Sequence, residues 1–92
     1  MVEGAMRILL VEDEQTIAVT LSDDLEAAGH EVLHVPDGKQ AIRELQRKSF
    51  DVVISDVRLP GADGLEVLRA AKQEFGEGGK FFRMLLADPF LN

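Results

Sequence analysis

Cysteine is absent from the 92-residue chain, which removes disulfides, thiolate-held zinc and thiol catalysis together. That absence suits a reducing compartment, so the expectation is a cytoplasmic protein. Long apolar runs are missing as well. Ile8 to Val11 is too short for a membrane span or the apolar core of a signal peptide, so neither export nor membrane attachment is expected. Basic clusters are scarce too. The densest group, Arg43, Arg47 and Lys48, reads as the solvated side of a helix. With 10 basic against 17 acidic residues and a net charge of -7, direct binding to nucleic acid is not expected, because that affinity rests on clustered cations releasing counterions. What is there is one small acidic domain. At this length folding buries only roughly 60 to 65% of the surface an unfolded chain exposes, which makes partners important to its stability.

The apolar pattern divides the chain into alternating elements. Arg7 to Val11 reads as a strand apolar enough to be covered on both faces, and it ends in Glu12 and Asp13. From Gln15 to Ala28 a helix is expected, with Ile17, Leu21, Leu25 and Ala28 as its inner stripe. Gly29 stops it. Glu31 to Val35 reads as a short edge strand closed by Pro36, and Asp37 with Gln40 has the spacing of a capping box before a second helix that turns Ala41, Ile42 and Leu45 inward. Asp51 to Ser55 is the third strand. Asp63 and Glu66 repeat the capping-box spacing before a third helix, whose stripe is Leu65, Leu68, Ala71 and Phe75 and which Gly76, Gly78 and Gly79 break.

Alternating strands and helices in this order predict an α/β fold, a doubly wound parallel sheet with helices on both faces. Ligands of such sheets bind beyond the carboxyl ends of the strands, where the strand order reverses. If the first and third strands are neighbours there, Glu12, Asp13 and Asp56 converge. Two unit charges 4 Å apart repel by about 4 kcal/mol at an effective dielectric near 20, so the cluster calls for a shared proton or a divalent cation. An oxygen-only donor set suits Mg2+ better than zinc. His30 and His34, around the second strand, are expected in surface or edge-strand roles away from this site. A blander reading stays open: Asp13 or Glu14 caps the first helix, and Asp56 opens a turn.

"ILLVEDE" followed by "FDVVISDVRLPGADGLEVL" resembles the receiver domain of two-component response regulators, the flavodoxin-like CheY fold, over roughly Met6 to Glu74. The resemblance implies that Asp56 accepts a phosphoryl group from the phosphohistidine of a sensor histidine kinase. It further implies that Glu12, Asp13, Asp56 and the backbone carbonyl of Arg58 hold Mg2+, and that Pro60 and Gly64 occupy the loop positions after the acceptor. Such a module signals and is not an enzyme in its own right. The division that follows is residues 1–5 as leader, 6–75 as receiver-like and 76–92 as a glycine-rich linker and divergent apolar tail.

The chain departs from the family pattern in that tail, "KFFRMLLADPFLN", which makes the expected sheet incomplete: three strand–helix units and one terminal strand. Receivers carry a Ser or Thr at the end of the fourth strand and a Lys at the end of the fifth. If the tail is the fourth strand, Leu86 stands in the hydroxyl position; if it is the fifth, Asp88 stands in the lysine position. Either register lacks the lysine, so phosphotransfer is expected to be weakened. The unpartnered face of the first helix, with Phe81, Phe82, Leu85 and Phe90, predicts a homo-oligomer, with exchange of the last segment between subunits as one form. A pure interaction module is the competing reading. A small Mg2+-dependent phosphohydrolase is a third, disfavoured because Val57 and Arg58, not an acid, follow Asp56.

Overall fold

The computed structural model describes residues 4–56, 64–75 and 83–87, with side chains described for all of these except Asp56, Phe75 and 83–87. Seven elements alternate: β1 (Arg7–Val11), α1 (Gln15–Ala27), β2 (Glu31–Val35), α2 (Gly38–Arg47), β3 (Val52–Asp56), α3 (Gly64–Phe75) and β4 (Arg83–Ala87). The strands form one parallel sheet in the order β2-β1-β3-β4. Chain direction therefore reverses its march across the sheet once, between β1 and β3. Right-handed crossovers then place α1 on one face and α2 and α3 on the other.

The α2 and α3 face holds the main core. Leu9 and Val11 of β1, Val35 of β2 and Val53 of β3 pack with Ala41, Leu45, Val67 and Ala71 of the two helices, and Phe50 closes the cluster. Ile8 and Leu10 alternate to the α1 face and are equally buried, as a strand covered on both sides requires.

Element boundaries have local causes. The third strand begins one residue later than expected, at Val52, because Asp51 is occupied elsewhere: its carboxylate accepts the Arg7 N–H at 2.9 Å and its own N–H donates to the Arg7 carbonyl at 2.8 Å. The strand consequently runs through Asp56 itself. Helix α1 ends where Gly29 takes a left-handed φ of 98°, and the Gly29 N–H donates to the Glu26 carbonyl at 3.0 Å. Asp37 caps α2 as its spacing predicts, accepting the Gln40 N–H at 2.8 Å. The Gln40 side chain then donates to the Asp37 carboxylate at 3.1 Å, whereas a capping box would return it to the backbone. The second cap expected, Asp63, lies outside the described residues.

Two helices bury stripes that differ from those expected. On α1 the buried residue is Ala18, with Ser22 and Leu25 half-buried, while Ile17 and Leu21 are exposed. Among the described elements the main contacts of this helix are with β1 and β2, so a small residue seats against the sheet while the flank bearing Ile17 and Leu21 stays exposed. On α3, Val67 and Ala71 are fully buried and Leu65 is exposed. The packing of α3 against α2 as well as β3 turns its buried line away from Leu65.

Candidate functional site

The carboxyl ends of β1 and β3 meet at the switch in strand order. Parallel pairing places Leu10 beside Ile54 and Val11 beside Ser55, so the next residue on each strand is Glu12 on one and Asp56 on the other. The convergence anticipated from sequence depended on this neighbour relation. Ser55 is the buried polar residue of the strand end, 1% exposed.

Glu12 is half-buried and Asp13 exposed at the β1–α1 turn. One Glu12 carboxylate oxygen accepts the Glu14 N–H at 3.0 Å. Glu14 is the residue before α1, and its own side chain makes no cap hydrogen bond. The capping reading of Asp13 or Glu14 is thereby corrected: the carboxylate engaged with the turn backbone is Glu12, two residues back.

The backbone of Glu12 is held by β2. Its N–H donates to the Val35 carbonyl at 3.1 Å, and its carbonyl lies 2.8 Å from Nε2 of His34. A carbonyl only accepts, so Nε2 carries the hydrogen. His34 does lie on the edge strand, as expected, but its ring reaches the site. The partner sits 22 residues away in sequence, and no local spacing signals it. His30, at the opposite end of β2, accepts the Met6 N–H on Nδ1 at 3.1 Å.

Asp37 opens α2 on the β2 side of the same end. The Gln40 backbone N–H holds its carboxyl below the usual carboxylate range, with further help from the Gln40 side chain, the Lys39 N–H and Arg43.

Among the described side chains, no three His, Cys, Asp or Glu groups stand close enough to hold a metal ion. The groups at the strand ends, the Glu12 and Asp13 carboxylates just after β1 and the Asp56 position at the end of β3, are all oxygen donors, the chemistry a hard dication such as Mg2+ selects. Gly64, expected in the loop after the acceptor, is instead the first, buried residue of α3. Arg58 and Pro60 lie outside the described residues, as do Phe81, Phe82, Asp88 and Phe90.

The tail supplies β4, which pairs directly with β3 and aligns Leu86 with Ser55 and Ala87 with Asp56. In the 2-1-3-4-5 strand order of flavodoxin-like sheets the strand beside β3 is the fourth, and β4 occupies that place. Neither residue at its end has a hydroxyl or an amine. Among the described residues, no helix is long and apolar enough to cross a membrane.

Known proteins share this arrangement. The fold is similar to the receiver domain of a sensor histidine kinase from Pseudomonas aeruginosa PAO1, solved with a magnesium ion coordinated in the active site cleft. The TM-score is 0.78 at 31% identity, over 90% of this chain and 66% of that one. It is also similar to the response regulator protein TrrA from Thermotoga maritima, solved in complex with Mg2+ and BeF, with a TM-score of 0.80 at 28% identity, over 92% of this chain and 70% of that one. In sequence it is 35% identical over 68 residues to the alkaline phosphatase synthesis transcriptional regulatory protein PhoP of Bacillus subtilis, covering 74% of this chain and 28% of that protein. The chain thus spans little more than a quarter of that relative's length. Residues 8–79 match the response regulator receiver domain, and with the strand order and the acids at the switch point this establishes that the chain belongs to that family of two-component signalling domains.

Proposed function

We propose that the chain receives a phosphoryl group on Asp56 from the phosphohistidine of a cytoplasmic sensor histidine kinase. The observation that supports this reading is the β1–β3 register, which sets Glu12 and Asp13 beside the end of the strand carrying Asp56. An Asp56 carboxylate oxygen attacks phosphorus in line. The new P–O bond forms as the P–N bond of the phosphohistidine breaks, and the imidazole leaves with the electron pair. Glu12, Asp13, Asp56 and the Arg58 carbonyl would hold Mg2+. Bound there, the ion neutralises charge on the phosphoryl oxygens and on the crowded carboxylates.

The chain's own residues limit the state formed. With Leu86 and Ala87 at the end of β4, no hydroxyl there meets the phosphoryl oxygens, and in this fourth-strand register no lysine pairs with them. Transfer is therefore weak and its output modest. With a net charge of -7, the chain passes its signal by protein contact and not by binding DNA.

Intact-protein mass spectrometry after incubation with acetyl phosphate and Mg2+ tests the reading. A phosphoryl adduct on the wild type and none on Asp56→Asn is the expected result. No adduct on folded wild-type protein overturns it.

A second reading, self-association, is favoured by one observation. Ile17 and Leu21 are 45% and 37% exposed on one flank of α1, and a second copy of the chain is the occupant we assign to it.

A further inference from the structure

His34 stands on the edge strand, yet its ring is committed to the backbone of the residue that begins the acidic turn. We infer that His34 is a positioning residue for the Mg2+ site: its Nε2–H, donated to the Glu12 carbonyl, fixes the β1–α1 turn and with it the direction of the Glu12 and Asp13 carboxylates. The inference rests on the functional reading above.

The argument begins with the ladder between β1 and β2. Pairing runs in register from Arg7 and Glu31 to Val11 and Val35, and one more rung follows as the Glu12 N–H donates to the Val35 carbonyl. A further ladder rung would need the Asp37 N–H as donor to the Glu12 carbonyl, and Asp37 is instead the N-cap of α2, past the end of β2 at Val35. His34 supplies a donor from a side chain at 2.8 Å. Both polar groups of the Glu12 backbone are then held by consecutive residues of β2.

That anchoring has a consequence one bond further on. The Glu12 carboxylate bends back to accept the Glu14 N–H at 3.0 Å, closing a small loop around Asp13. With the carbonyl fixed, rotation of the Glu12–Asp13 peptide is blocked, and the loop keeps one shape. Without the imidazole that anchor is lost, and the turn carrying the two carboxylates is held less firmly. Hydrogen bonds that orient ligand-bearing groups in this way typically support metal affinity by about 10- to 100-fold.

Two kinds of variant separate this role from packing. His34→Phe keeps a ring of similar size and removes the donor, whereas His34→Gln keeps an N–H at comparable reach. His30→Ala breaks the bond to Met6 at the far end of β2 and serves as the control. In metal-free wild-type protein in weakly alkaline buffer, nitrogen-15 spectra of the imidazole should report the Nε2–H tautomer of His34. The Glu14 amide should shift and lose exchange protection in His34→Phe but not in His34→Gln. In Mg2+ titrations followed by the same amides, His34→Phe should bind about 10-fold or more weaker, while His34→Gln and His30→Ala stay near the wild type.

An Nδ1–H tautomer, an unmoved Glu14 amide in His34→Phe, or undiminished Mg2+ affinity in that variant overturns the inference. A wild type that takes up no Mg2+ overturns the reading of the site instead, and the metal-free spectra still decide the positioning.

Discussion

Asp37 illustrates what a single residue contributes at the active end of the sheet and how pH exposes it. Its carboxylate is held below its ordinary pKa chiefly by the Gln40 backbone N–H, so it binds protons less readily folded than unfolded. The stabilisation is fully present above the unfolded value and fades as pH falls through the lower folded one. Asp37→Asn keeps a cap acceptor and loses the charge. Its Tm should lie below the wild type at neutral pH, and the gap should close as pH falls below the unfolded value; a gap that persists in acid would contradict the assignment. Asp37→Ala, which removes the acceptor altogether, should lower Tm by roughly 4 to 8 °C at neutral pH. This residue was legible in the sequence because donor and acceptor are three positions apart and the chemistry is local. Glu12, Asp13 and Asp56 were legible because acids that end apolar strands are rare enough to notice. His34 was not, since its partner is created only when β2 docks beside β1, and a lone histidine on an edge strand carries no sign of it.

The same division between local and tertiary causes holds for whole elements. The first two strands appear where apolar runs placed them, the third is displaced by one residue and the fourth falls within the apolar tail, and α2 turns Ala41 and Leu45 into the core as its periodicity required. Periodicity misjudged α1 because it marks which residues could be buried, and burial depends on what faces them. Among the described elements, helix α2 lies against β1, β2 and α3, whereas the main contacts of α1 are with β1 and β2 alone. Leucines at comparable places in the two helices therefore differ in worth. Leu45, 1% exposed, fills a closed site, and Leu45→Ala should cost about 2 to 5 kcal/mol in urea unfolding. Leu21, 37% exposed, should cost no more than about 0.5 kcal/mol as alanine in the monomer. Equal losses at the two positions would mean that α1 is covered in solution to the same degree as α2.

At the scale of the molecule, the exposed flank of α1 and the net charge of -7 act against each other. Ile17 and Leu21 lie one helical turn apart on that flank, and burying them against a second copy removes apolar surface from water. The same helix carries Asp23, Asp24 and Glu26 and no lysine or arginine. On a helical repeat Asp24 falls seven residues from Ile17, on the same side. A two-fold pairing of α1 with its counterpart brings those like charges together, since an isologous interface repeats each patch opposite itself. Repulsion between exposed charges is screened by salt, whose Debye length falls from about 30 Å at 0.01 M to about 3 Å at 1 M, while apolar burial is not weakened by it. Self-association should therefore strengthen as salt is raised, the reverse of an interface held by ion pairs. Sedimentation across the micromolar range should show a monomer at low salt and a growing dimer at high salt. Leu21→Glu should remain monomeric at both and still accept the phosphoryl group on Asp56, because α1 touches the site only through its first turn. A wild type that stays monomeric at every salt concentration would remove self-association through α1 from consideration, and a dimer that dissociates as salt rises would place the contact on a different, oppositely charged surface.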